Sequence, residues 1–207
     1  MITKSLATFT LLGLAGLSAS ACYQPRDRGE AADARSSNVK SVVADKPFVA
    51  AGKIDMELDG GSYVVRATAD NHIRITLTGN TGDATADVTA RETDASVQVK
   101  DTPRNFRATI EVPPTTDLVV HFKGGELVME PITGNKDVQS YGGDIKIGIG
   151  NADDYSSVDA SVKAGDIDAK PFGGSRSGLL QTFTWSGHGR YTLRANLGAG
   201  NLVLRTK

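Results

Sequence analysis

From Phe48 to the end of the chain, apolar and polar residues alternate. Ile54, Met56 and Leu58 are separated by Asp55 and Glu57, and Ile73, Ile75 and Leu77 by Arg74 and Thr76. The same period of two returns at Val97 and Val99, at Ile110 and Val112, at Ile145 and Ile147, and from Leu193 through Ala195 to Leu197. Alternation sends one set of side chains to a core and the other to water, which is the signature of half-buried strands. No stretch after residue 48 carries apolar residues at i, i+3, i+4 and i+7. The pattern therefore predicts an all-β domain over 47–207, built from strands of three to seven residues.

A recurring motif separates the strands. Gly124-Gly125-Glu126-Leu127, Gly142-Gly143-Asp144-Ile145, Ala164-Gly165-Asp166-Ile167 and Ala199-Gly200-Asn201-Leu202 share one form, with Gly60-Gly61-Ser62-Tyr63 as a fainter copy. Glycine supplies a positive φ at a corner, and the Asp or Asn after it can close a turn on the local backbone. The third positions fall at 126, 144, 166 and 201, so the steps are 18, 22 and then 35 residues. Regular corners that each open an alternating strand predict a β-solenoid-like stack of short strands with Gly-Gly-Asp turns. The longer last step implies an insertion or an extra coil. A β-sandwich is the alternative, especially for residues 48–102, where the motif is faint.

These Gly-Gly-Asp-Ile corners resemble the bacterial surface family of adhesin-like proteins with β-strand repeats, a domain of unknown function. The segment from Val112-Pro113-Pro114 into Leu118-Val119-Val120 and the closing Leu197-Gly198-Ala199-Gly200-Asn201-Leu202 are also similar. The resemblance covers roughly residues 48–207. It implies a β-solenoid-like domain exported to the cell envelope, and it brings no catalytic residues with it.

The first residues lack the alternation. Lys4 precedes an uncharged apolar run from Leu6 to Leu17, followed by Ser18-Ala19-Ser20-Ala21 and then Cys22, the sole cysteine of the chain. A basic start, an apolar run too short to span a bilayer and a small-residue cleavage site describe a signal peptide over 1–21. Ala19-Ser20-Ala21-Cys22 resembles a bacterial lipoprotein processing site, with Ala19 where Leu is usual, and it implies lipid attachment at Cys22. Two or more acyl chains would anchor the protein firmly, whereas one is marginal. Tyr23 stands where inner-membrane lipoproteins of enteric bacteria often carry Asp, so the outer membrane is the expected address. Residues 22–46 mix charge with small residues and hold almost no large apolar side chain, which predicts a lipid-anchored flexible tether.

Composition narrows the function. The 207 residues carry 23 Lys plus Arg against 24 Asp plus Glu, a balance unlike the basic surplus of nucleic-acid binders. A lone cysteine excludes an internal disulfide framework. His72, His121 and His188 lie too far apart in sequence for a metal-ligand motif, and no G-x-S-x-G elbow accompanies the serines. No cofactor is expected. Asp144, Asp166 and Asp168 are the candidate acids of a carbohydrate-active enzyme on a β-helix, but Glu126, Asp144, Asp166 and Asn201 all hold the turn position of the repeat, where a side-chain oxygen has a local backbone task. The segment 172–191 breaks the repeat and gathers Phe172, Phe183, Trp185 and Tyr191 beside Arg176 and Arg190. Those six form a candidate binding patch for a sugar or a protein, or else the aromatics cap the end of the stack. The expected function is a non-enzymatic, lipid-anchored envelope protein whose repeats present a surface for adhesion. Its expected partners are the membrane, through Cys22, and an unknown envelope protein or glycan.

Overall fold

In the computed structural model, residues 40–206 are described, and thirteen strands joined by turns and two single-turn 3-10 helices occupy them. Cys22, the leader and residues 23–39 lie outside the described residues. β1 (Lys40–Pro47), β2 (Lys53–Leu58), β3 (Gly61–Ala67), β4 (His72–Thr78), β5 (Thr85–Arg91), β6 (Asp94–Lys100), β7 (Arg107–Val112), β8 (Asp117–Phe122) and β9 (Gly125–Met129) are short. β10 (Lys136–Gly148), β11 (Tyr155–Ala169), β12 (Gly174–Ser186) and β13 (Tyr191–Arg205) are 13 to 15 residues long. They outrun the predicted length because each passes through a glycine corner without losing its pairing.

Each corner joins two strand segments into one bent rung. β2 with β3, β6 with β7, and β8 with β9 make three rungs, and β10, β11 and β13 are each a rung in a single strand. Parallel pairing stacks β6/β7 on β2/β3, then β8/β9, β10, β13 and β11. β12 lies antiparallel on β11 at one end. At the other end β4 and β5 pair antiparallel with β7 and β6, while β1 pairs with β4 and packs against β5. Parallel pairing of β2 and β3 with β8 and β9 replaces the sandwich considered for residues 48–102.

The stack is not the simple solenoid expected: its rungs are out of chain order, and antiparallel strands close both ends. β13 lies between β10 and β11, so the corner row reads Glu126, Asp144, Asn201, Asp166. The 35-residue step is therefore a detour. The chain turns back through Lys170–Phe172 into β12 and then re-enters the stack as β13. The reason lies in the inner faces. β13 buries Leu193, Ala195, Leu197, Leu202 and Leu204, whereas Phe183 is the one buried residue of β12. A strand flanked on both edges can carry the richer apolar set, and the poorer one takes the end.

β1 also differs from expectation, since residues 40–46 fall within the expected tether. Its side chains stay mostly exposed, so its composition reads as a linker. Backbone pairing with β4 holds it, together with Asp45, which accepts hydrogen bonds from His72 and Arg74 at 2.6 and 2.9 Å.

The corners depend on glycine for two reasons at once. Gly143 and Gly165 have φ of 115° and 138°, and a Cβ on either would overlap a carbonyl oxygen of the adjoining rung, that of Gly125 or Gly200. The same overlap recurs at Gly125, against the Gly61 carbonyl, and at Gly200, against that of Gly143, giving a column of glycines along one bend.

One buried cation ties the stack together. Lys136 is 2% exposed, and its ammonium donates to the carbonyls of Ile132 and Gly134 at 2.6 and 3.2 Å and to the Tyr155 hydroxyl at 2.7 Å. Burial pushes this ammonium down to about 8, against the pull of Asp117 and Asp154. Tyr155, buried beside it, is pushed above the ordinary tyrosine range.

Two measurements check this account. Gly143→Ala and Gly165→Ala combine backbone strain with overlap and should each cost more than about 4 kcal/mol. Gly173→Ala, at φ 84° with open space around it, should cost about 1 kcal/mol. Denaturant melts of the three variants compare these. The second concerns Lys136. Between about pH 8 and 10 the native state has released this proton while the unfolded chain still holds it, so stability should rise with pH. The slope from this group approaches 1.4 kcal/mol per pH unit. Below pH 8 both states are charged and its contribution is flat. Lys136→Met should remove that rise, and an unchanged slope would contradict the assignment.

Candidate binding groove

Outward side chains on the half of the stack before the corners fall into rows across the rungs. One row reads Glu57, His121, Gln139, Asn196, Ser161. Two residues nearer the bend stand Asp59, Lys123, Tyr141, Gly198 and Lys163, which follow from the same registers. Together these rows line a groove of about 870 Å³, with Lys100, Asp101 and Arg194 at its margins. A smaller depression of about 280 Å³ adjoins it and shares Arg194.

Two features shape the groove. Tyr141 is 83% exposed, an unusual setting for an aromatic ring on an otherwise polar face. Gly198, its neighbour across the β10–β13 pair, cannot carry a side chain, because a Cβ there would overlap the Tyr141 carbonyl oxygen. The space between Tyr141 and Lys163 therefore stays open. The floor is hydrogen-bonding: the Ser161 hydroxyl donates to the Asn196 side-chain oxygen at 2.7 Å, and Gln139 is exposed.

Charge is fixed at one end. Lys123 pairs with Asp59 at 2.6 Å, and the Asp101 backbone N–H donates to the other Asp59 oxygen at 3.1 Å. The Asp59 carboxylate raises the Lys123 ammonium above the ordinary lysine range, so it stays charged. Lys100 lies 3.8 Å from Glu57 and Arg194 lies 3.9 Å from Asp137, both pairs being solvated. Such exposed pairs orient side chains more than they stabilise the fold.

The candidate acids do not meet in a cleft. Asp144 and Asp166 are exposed on one row with Asn201 between them, and Asn201 donates its amide to Asp144 at 2.7 Å. Asp168 accepts from the Lys170 ammonium at 2.7 Å and its backbone N–H at 3.2 Å, and those contacts hold its carboxyl below the usual range. A general acid needs the opposite shift. Nor do the corner residues close local turns as expected: Glu126 accepts from Lys146 of the next rung at 2.9 Å. They bridge rungs.

The six residues of the aromatic segment separate into two environments. Phe172 and Phe183 are each 7% exposed, and Trp185 and Tyr191 pack against the core. Phe172 lies between Tyr155 and Trp185, with ring centroids 5.8 and 4.9 Å away. Arg176 and Arg190 are exposed. Among the histidines, His72 pairs with Asp45, His121 lines the groove and His188 is exposed.

Gln139, Tyr141, Asn196 and Lys163 were not singled out from sequence. Each is an outward member of an alternating strand, and the available signal was an aromatic, Tyr141, at an outward position directly before a Gly-Gly corner.

No known family profile matches this sequence, and no curated protein does. Among solved structures, the chain is similar to a "putative cell adhesion protein" from Clostridium sporogenes. That match covers 82% of this chain and 100% of the other, at 11% identity and a TM-score of 0.52. A "putative adhesin" from Bacteroides fragilis aligns over 82% of this chain and 99% of its own, at 14% identity and a TM-score of 0.31. At such identities, the first likeness is one of fold, and the second carries no argument.

The corner row generates a prediction. Asn201→Asp places a third carboxylate between Asp144 and Asp166 and removes a donated hydrogen bond. Stability should fall by about 1 kcal/mol at low salt and recover in part at 1 M salt. Chemical denaturation at the two ionic strengths measures this, and a loss independent of salt would place these side chains elsewhere.

Proposed function

We propose that this chain is a non-enzymatic envelope protein, exported and held at the outer membrane by lipid on Cys22, that binds a glycan in the Tyr141 groove and so serves adhesion. The observation that carries the reading is the pairing of a solvent-facing aromatic with a floor of amide and hydroxyl groups. A sugar ring offers a C–H face for an aromatic ring and hydroxyls that donate and accept at once. Asn, Gln and Ser side chains match that capacity, and Tyr supplies rigid contact area. An apolar peptide would find little to bury there. The fold shared with a protein named for cell adhesion supports the same reading. So does the sequence around Cys22.

Two experiments test the two halves. A glycan array probed with the parent should yield binders, and Tyr141→Ala and Asn196→Ala should each weaken them about tenfold or more. No binder, or variants that bind like the parent, would overturn the glycan reading. A protein ligand recovered from envelope extracts and sensitive to Tyr141→Ala would replace it. For anchoring, Cys22→Ser should move the protein from the membrane pellet to the soluble envelope fraction. A variant that still pellets like the parent removes the lipid.

A further inference from the structure

The two ends of the strand order are built differently. β1 carries Asp45, Lys46 and Pro47, contains a register shift between Val42 and Ala44, and packs against β5. Prolines, charges and bulges are the devices by which a sheet edge avoids pairing with another chain. β12, at the opposite end, has no proline and no register shift. It runs 13 residues, pairs only with β11 among the described strands, and holds Arg176 as its sole charged residue. At its middle, Leu179 and Leu180 are 74% and 78% exposed, and Leu180 is held at φ 53°, a conformation that leucine adopts at a cost. Two adjacent leucines thus stand in water at the bend of this strand.

We propose that β12 pairs with β12 of a second copy, antiparallel about a two-fold axis near Leu179 and Leu180, so that one sheet continues across two molecules. Self-pairing is compatible with the charges on the strand: with the axis at Leu180, Arg176 faces Thr184 and no cation meets its own copy. The four leucines gather at the centre, where they leave water together. Full pairing of the edge would form about 12 backbone hydrogen bonds, close to the ~10 of an ordinary interface. The footprint is small, about 430 Å² per copy from a ~43 Å edge and a ~10 Å thickness, or ~860 Å² in total, below the ~1,200 Å² of a stable complex. The dimer is therefore weak in solution and gains strength when many copies are displayed together. β12 and β1 stand at opposite ends of the strand order, eight pairings apart, and β1 is the first described strand of the domain. On the envelope reading proposed above, the free edge is the end of the strand order opposite the chain's entry, and cells would meet through it.

Sedimentation of the full chain carrying Cys22→Ser, so that lipid cannot drive clustering, tests the pairing from ~1 µM to ~1 mM. The parent should shift from monomer to dimer across that range. Leu179→Lys with Leu180→Lys should remain monomeric, and Val42→Lys on the opposite edge should dimerise like the parent. Amide exchange of the parent gives a second readout independent of any variant: β12 amides should gain protection as concentration rises, and β1 amides should not. A parent that stays monomeric throughout, or β12 amides whose protection ignores concentration, overturns the proposal. A monomer that still binds glycans leaves the groove standing. A dimer that binds none leaves only the edge.

Discussion

The close approach of neighbouring backbones at the bend is the constraint on which this structure turns. The carbonyl oxygen of one corner glycine occupies the place that the next rung's Cβ would need, repeatedly along the column from Gly61 to Gly165. A side chain there would force the rungs apart, and the parallel hydrogen bonds on both sides of the corner would go with them. Glycine alone satisfies both the positive φ and the missing Cβ. With that satisfied, β10, β11 and β13 bend without breaking, and one ladder serves both faces around an apolar interior.

The groove is a product of the same continuity. Its rows draw single side chains from five rungs, set in register by backbone pairing rather than by any local motif. Gly198 extends the logic: the contact that excludes its side chain also opens the space beside Tyr141. The aromatics of segment 172–191 have a different task. Phe172, Phe183 and Trp185 lie against Tyr155 and the core beneath the terminal strand, where a stack of rungs must cover its last apolar layer.

Much of this was legible in the sequence, in specific places. Alternation at Ile54, Met56 and Leu58, or at Ile145 and Ile147, gave strands with the correct buried face, because a period of two is fixed by the pleat. Gly143 and Gly165 were identifiable as corners from their repeated context. Rung order was not. Nothing local in Asn201 says that it will lie between Asp144 and Asp166, since that depends on which strand has the richer inner face. β1 was missed because backbone pairing holds it while its side chains remain in water. Tyr141 was overlooked for a related reason: an outward residue acquires meaning only when the register names its neighbours. Lys136, polar in sequence and buried in the structure, is satisfied by acceptors from loop and strand that only the fold brings together.

The rung order is the claim from which the corner row, the groove and the free edge all follow, and cross-linking tests it directly. With Cys22→Ser to clear the background, Asp144→Cys paired with Asn201→Cys lies on adjacent strands, ~4.8 Å apart, within the ~7 Å reach of a disulfide. Asp144→Cys paired with Asp166→Cys lies two strands apart, at ~10 Å, and beyond that reach. Under mild oxidation, the first pair should form an intramolecular disulfide quantitatively and the second should not. If the second pair closes and the first stays reduced, the rungs follow chain order and β13 does not lie where it is described.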